Sequence, residues 1–272
     1  MTETHSPRFV IHGADLQYVE LALIPKAAVL AEKKSMMYVE NEIVIDTVLG
    51  DGLRSGWGVL GRFWRALTRS FTGEALFNNL YTNQGKSIRK VAIAAPGPGA
   101  IVPLDLSAMG GEVICQKGAF LCGDLGTQVK LAFQKRLRTG FLGGEGFVMQ
   151  KISGKGHAFI HACGAHKIVD LPAGQSLRID AGCLVALSQT VRYDIAYTGS
   201  LKTSILGGEG MFYATVNGPG RVWLQSLPMN RLSRNLFASM ATGRASGGVW
   251  GKLYLVVIII AVLAGILGGG ES

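Results

Sequence analysis

Leu142-Gly143-Gly144-Glu145-Gly146 returns as Leu206-Gly207-Gly208-Glu209-Gly210, and the residues after each copy also correspond. Phe147 to Ile152 and then Gly154-Lys155-Gly156-His157-Ala158-Phe159-Ile160-His161 are matched, 64 positions on, by Met211 to Val216 and then Gly218-Pro219-Gly220-Arg221-Val222-Trp223-Leu224-Gln225. A weaker copy lies upstream at Phe71-Thr72-Gly73-Glu74-Ala75-Leu76-Phe77, with Pro96-Gly97-Pro98-Gly99 after it. Self-similarity at a fixed interval marks units that complete each other's cores. Each copy has the same prelude, two apolar runs around a turn: Leu23 to Val29 with Met36 to Val39, Gly111 to Cys115 with Gly118 to Cys122, and Leu171 to Leu177 with Gly182 to Ala186. Gly73-Glu74, Gly144-Glu145 and Gly208-Glu209 recur at one point of every unit, which assigns the glutamates a structural turn role, accepting backbone N–H groups, rather than acid–base work.

The composition agrees with a β protein. Of the 272 residues, 48% are hydrophobic and 17% charged, too apolar for disorder, and 38 glycines are too many for a helical protein. Short apolar runs punctuated by Gly and Pro read as an all-β barrel or sandwich. Gln17-Tyr18-Val19-Glu20-Leu21-Ala22-Leu23 alternates as a half-buried strand should. Cys115, Cys122, Cys163 and Cys183 form no C-x-x-C pair and lie in apolar runs, so they read as small buried thiols in a reducing compartment. The polar opening Met1 to Pro7 is not a signal peptide, which places the body in the cytoplasm.

Trp57, Leu60, Trp64, Leu67 and Phe71 recur at helical spacing, with Arg62, Arg65 and Arg69 on the opposite face, within an inserted segment 54–71. Two readings of this amphipathic helix stand: it lies in an anionic membrane interface, or it packs its Trp face on the β body. Lys135, Arg136 and Arg138 hold the corresponding place in the second unit and Lys202 in the third. Units set about a pseudo-threefold would gather these basic loops on one face, in keeping with a net charge of +9 and an anionic partner. Three solvated hairpin loops are the simpler alternative.

Site chemistry is sparse. Gly97/Gly99, Gly154/Gly156 and Gly218/Gly220 precede strand-like runs, so they read as tight β turns with positive φ, not phosphate cradles. His157, His161, Cys163 and His166 are the one group with metal-ligand chemistry, and on a strand His157 and His161 share a face. The third unit has Arg221 and Gln225 there, so lone surface histidines are the preferred reading and no metal or cofactor is expected. With no G-x-S-x-G elbow and no H-E-x-x-H, the chain reads as non-enzymatic.

Past Gln225 the composition shifts. A basic linker, 229–252, ends at Lys252, and Leu253 to Leu267 then runs fifteen residues without a charge within an apolar tail, 253–269. As a helix the run covers about 22 Å against a hydrocarbon core of about 30 Å, and Trp250, a snorkelling Lys252 and Gly268 to Gly270 extend it toward a minimal span. The favoured reading is a C-terminal anchor in the inner (cytoplasmic) membrane with the body on the cytosolic side; the alternative is a strand or helix buried in an oligomer.

Gly73-Glu74-Ala75-Leu76-Phe77, the run Val113 to Leu121, Gly143-Gly144-Glu145-Gly146-Phe147 and the run Gly218 to Ser226 resemble the family of altered inheritance of mitochondria protein 24, over about Leu16 to Leu232. The resemblance implies three TRAP-like repeats, related to the double-stranded β-helix. They divide as 14–105, 106–165 and 166–228, plus the short helix and the apolar C-terminal segment. It also implies homo-oligomers, with a trimer favoured, and no enzymatic activity; mitochondrial members are associated with the inner membrane and its organisation. Lys33-Lys34 departs from the pattern where a glycine is expected before Ser35-Met36. The reading is therefore an oligomeric scaffold or adaptor on an anionic membrane surface, its protein partner unassigned. The alternative is a TRAP-like module for nucleic acid or a small ligand. Nucleic acid is disfavoured because no aromatic stacking array lies on a basic strand face.

Overall fold

A computed structural model describes residues 6–49, 77–135, 147–197 and 212–228. The described residues are all-β, and their only helical turn is the 3-10 turn Ala181–Cys183. Nineteen strands follow in order: β1 (Arg8–His12), β2 (Tyr18–Leu23), β3 (Ala28–Glu32), β4 (Met36–Val39), β5 (Ile43–Leu49), β6 (Phe77–Asn83) and β7 (Arg89–Ala94). Next come β8 (Gly99–Asp105), β9 (Glu112–Gln116), β10 (Phe120–Asp124), β11 (Gln128–Lys135), β12 (Phe147–Ser153) and β13 (His157–Cys163). The last are β14 (His166–Leu171), β15 (Ser176–Asp180), β16 (Leu184–Ser188), β17 (Arg192–Tyr197), β18 (Phe212–Asn217) and β19 (Gly220–Gln225).

They form four antiparallel sheets. Sheet A has the order β1-β2-β7-β4, sheet B β5-β6-β3-β10-β13-β8, sheet C β11-β12-β9-β16-β19-β14 and sheet D β15-β18-β17. Adding six to every strand number of sheet B gives sheet C. Three apolar layers lie between consecutive sheets. Val19, Leu21, Val91 and Ile93 of sheet A meet Tyr81, Leu121 and Phe159 of sheet B. Leu104, Ile160 and Ala162 of sheet B meet Val113, Cys115, Ile152 and Trp223 of sheet C. Met149, Leu187 and Val222 of sheet C meet Ile195, Ala214 and Val216 of sheet D.

This layering explains the strand patterns. β2 belongs to an outer sheet and alternates half-buried with buried residues, as the alternation from Gln17 to Leu23 predicts. β10 and β13 lie in sheet B with cores on both faces, so Phe120 to Asp124 and Ala158 to Cys163 are buried without a break. Of the six glycines expected at positive φ, Gly99, Gly154, Gly156 and Gly220 have φ of 147°, 152°, 80° and 144°, whereas Gly97 and Gly218 do not adopt positive φ. Where Lys33-Lys34 replaces the expected glycine the turn still forms, with Lys34 driven to φ 70° where the second unit has Gly118 at 83°.

The segment 54–71 expected to be helical, the basic loop residues Arg136 and Arg138, the three Gly-Glu turns, the linker and the apolar tail lie outside the described residues. Among the described residues no helix is long and apolar enough to cross a membrane.

Candidate functional site

One small device recurs three times. The turn between β4 and β5 closes with the Ile43 N–H on the Glu40 carbonyl (3.3 Å). Between β10 and β11 Thr127 donates to Asp124 (3.0 Å), and between β16 and β17 Val191 donates to Ser188 (3.1 Å). The side chain that opens each turn then accepts a backbone N–H from a neighbouring strand. Lys90 N–H donates to Glu40 Oε2 at 3.0 Å, His157 N–H to Asp124 Oδ2 at 2.8 Å, and Arg221 N–H to Ser188 Oγ at 2.9 Å. Short polar side chains at turn starts are suited to this because they reach backbone donors without leaving the turn.

The residue whose N–H is held is basic or titratable each time. Lys90 Nζ lies 2.8 Å from Glu20, which also accepts the Tyr38 hydroxyl. The Lys90 hydrogen bond, and then that of Tyr38, hold the Glu20 carboxyl below its ordinary value, while the Glu20 hydrogen bond pushes the Tyr38 phenol up to about 12. Arg221 Nε donates to Asp170 Oδ1 at 2.7 Å and lowers its titration. Both ion pairs face solvent, where water and salt screen the attraction and such pairs add little to stability.

In the second unit the device is enclosed. Asp124 is only 6% exposed and accepts the Ser6 hydroxyl at 2.5 Å as well as the His157 N–H. Burial raises its carboxyl above the ordinary range, more than Ser6 and His157 lower it. Gly156 is required there: a Cβ would come 2.2 Å from Asp124 Oδ2 and 2.7 Å from Ser6 Oγ. Phe9 lies over His157 at 5.3 Å and edge-on to Phe159 at 4.9 Å. Asp124 Oδ1, Thr127 Oγ1 and His157 Nδ1 are buried without a protein hydrogen-bond partner.

In the third unit the same place is an open cleft of about 740 Å³, lined by Met109, Asp170, Ser188, Thr190, Arg221 and Trp223 among others. Its walls are the 64-residue counterparts of the second unit's: Ser188 of Asp124, Arg221 of His157 and Trp223 of Phe159. Ser6 and Phe9 touch those second-unit counterparts, so the N-terminal segment covers in one unit what is open in the other.

His157 and His161 lie on β13 as expected, but His161 is 3% exposed rather than on the surface, and burial lowers its titration. Its Nδ1 is 3.6 Å from the buried Cys163 Sγ, while His166 is exposed on β14. Among the described residues no three His, Cys, Asp or Glu side chains converge to hold a metal. Of the basic contact residues, Lys135 ends β11, while Trp57, Arg62, Trp64, Arg65, Arg69, Arg136, Arg138 and Lys252 lie outside the described residues, as do Gly73, Glu74, Gly144, Glu145, Gly208 and Glu209. Glu40, Asp124 and Ser188 escape a reading of the sequence because the three differ in type, although the 64-residue interval links Asp124 to Ser188.

Residues 9–227 match the family described as mitochondrial biogenesis AIM24. The chain belongs to that family. An AIM24-type architecture is thus carried by all the described strands except the first residue of β1. An uncharacterised protein of Streptococcus pyogenes serotype M6 is 31% identical over 231 residues, covering 84% of this chain and 89% of its own. A Streptococcus pyogenes protein of known crystal structure superposes with a TM-score of 0.67 at 26% identity, covering 85% of this chain and 99% of that one. The AIM24 fold is therefore shared with bacterial relatives along almost their full length.

Proposed function

We propose that the protein is a non-enzymatic, self-associating scaffold or adaptor on the cytosolic face of a membrane, built from three TRAP-like β repeats. The observation that carries this reading is the six-strand interval of the sheets. On it the repeats are β2 to β7, β8 to β13 and β14 to β19, with the first boundary ahead of Gly99 instead of after Asp105. Each six-stranded sheet draws three strands from one repeat and three from the next, so a repeat is complete only beside a neighbour. A body of this kind recruits further copies by the same rule. The assembly favoured on this reading is a trimer, related by a true threefold and distinct from the pseudo-threefold expected among the repeats of one chain.

Membrane attachment rests on the sequence: the uncharged run Leu253 to Leu267 behind a basic linker, and a net charge of +9. Several basic loops on one oligomer act together at an anionic leaflet, each residue near it contributing about 1 kcal/mol. Two measurements test the reading. Light scattering of the full chain should give a multiple of 28.9 kDa, and a single-chain mass would remove the scaffold. The full chain should float with anionic liposomes. A chain ending before Trp250 that stays at the bottom assigns attachment to the tail, and loss with Arg62, Arg65 and Arg69 changed to Ser assigns it to the basic segment. An intact chain that does not float removes the membrane.

A further inference from the structure

Within the chain, consecutive repeats are joined by one antiparallel pairing, made twice. β3 pairs with β10 as Ala31↔Cys122, Leu30↔Gly123 and Val29↔Asp124. β9 pairs with β16 as Cys115↔Ala186, Ile114↔Leu187 and Val113↔Ser188. The next strand in the first series is β15 and the strand before the second series is β4. Among the described residues nothing pairs with the outer edge of either: β4 pairs only with β7, and β15 only with β18.

Three features show that β4 is built like β10 and β16. All three pair with the last strand of their repeat through the same irregularity, between Met36 and Tyr38, between Phe120 and Cys122, and between Leu184 and Ala186. β10 and β16 end at, and β4 is directly followed by, the residue that holds a neighbouring backbone N–H: Asp124, Ser188 and Glu40. All three carry apolar side chains, with one difference. Phe120, Leu121 and Cys122 are at most 3% exposed and Leu184, Val185 and Ala186 are fully buried, whereas Met36, Met37 and Tyr38 are 42%, 55% and 36% exposed. β15 likewise carries Leu177 and Ile179 where β9 has Val113 and Cys115, 64 residues earlier. An apolar strand edge left open invites another strand.

Resting on the scaffold reading, we propose that β15 of one copy pairs antiparallel with β4 of a second copy, in the register Tyr38↔Ile179, Val39↔Arg178 and Glu40↔Leu177. The junction completes a third composite sheet, β17-β18-β15 from one copy and β4-β7-β2-β1 from the next, in the strand order of sheets B and C with β1 added. Because the two surfaces differ, the association is head-to-tail, closing into a ring or running on as a filament according to the rotation per copy.

The test is disulfide trapping in the full chain with Cys183→Ser, the other three native cysteines being buried. Val39→Cys with Arg178→Cys should form intermolecular disulfides under mild oxidant, giving a ladder on a non-reducing gel. Val39→Cys with Ile179→Cys, one residue out of register and on opposite faces, should form at most a tenth as much. In the unaltered chain, the outward-facing amide hydrogens within 36–39 and 176–180, those not already bonded to β7 or β18, should be protected at high concentration and lose that protection on dilution. A multi-copy mass by light scattering without in-register trapping and without concentration-dependent protection overturns this junction and leaves the scaffold standing. A single-chain mass overturns both.

Discussion

Asp124 Oδ2 meets the backbone N–H of His157, 33 residues away, at 2.8 Å, and the carboxylate that makes this contact is almost wholly withdrawn from water. The bond ties the turn after β10 to the first residue of β13, and it recurs with Glu40 and Lys90 and with Ser188 and Arg221.

Asp124 titrates above its ordinary value of 3.8. Between that value and the raised one the folded chain keeps a proton that the unfolded chain has lost. Stability therefore falls as pH rises through the window and stays lower above it. Asp124→Asn retains an acceptor for His157 and removes the slope, so its melting temperature at pH 7 should match or exceed that of the parent. Asp124→Ala strands the N–H and should cost about 1–3 kcal/mol in urea unfolding. An Asn variant melting well below the parent at pH 7 would show that the charge itself stabilises the fold.

Lys34 adopts φ 70°, a backbone region in which an L side chain costs about 1–2 kcal/mol. Glycine loses some of that advantage through greater unfolded-state freedom. Lys34→Gly should raise stability by about 0.5–1 kcal/mol, and an unchanged or lower denaturation midpoint would refute the strain.

The Tyr38 phenol should titrate near 12 because its hydroxyl donates to Glu20. The tyrosinate absorbance lost in a Tyr38→Phe difference titration reads it directly. With Glu20→Gln the midpoint should fall back toward 10, and a midpoint already near 10 in the parent would mean that the contact does not form in solution.

Cysteine reactivity should divide sharply. Burial pushes the Cys115 thiol up to about 12 and raises Cys122 and Cys163, while Cys183 is only half-buried. A thiol reagent at pH 8 should label Cys183 in the folded chain and the other three only on unfolding, as read by peptide mass spectrometry. Labelling of Cys115 at a rate like that of Cys183 would mean the layer between sheets B and C opens readily.

The β class was legible because strand signals are local. Tyr18 to Leu23 alternates since sheet A has a core on one side, and the Gly-rich turns announce themselves by residue type. Pairing was not legible. β8 joins β13, with Asp105 opposite His157, and no local pattern at Asp105 names that partner. The interval of 64 residues gives equivalence between positions, which is different information from contact. At the recurring turn, equivalence itself was disguised, because a glutamate, an aspartate and a serine perform one hydrogen-bonding task. Lys26, Lys34 and Glu42 disguise the first unit further, holding positive φ without glycine.

On the proposed division into β2 to β7, β8 to β13 and β14 to β19, sheets B and C each straddle a boundary, so the chain's period and its sheets are half a step out of phase. No fragment cut at a unit boundary keeps its sheets whole: division between β7 and β8 separates β5-β6-β3 from β10-β13-β8. Duplication has the opposite effect. Inserting one more unit in frame adds one whole six-stranded sheet and leaves both terminal half-sheets as they were, so a gene of this kind lengthens its product without having to reinvent either end.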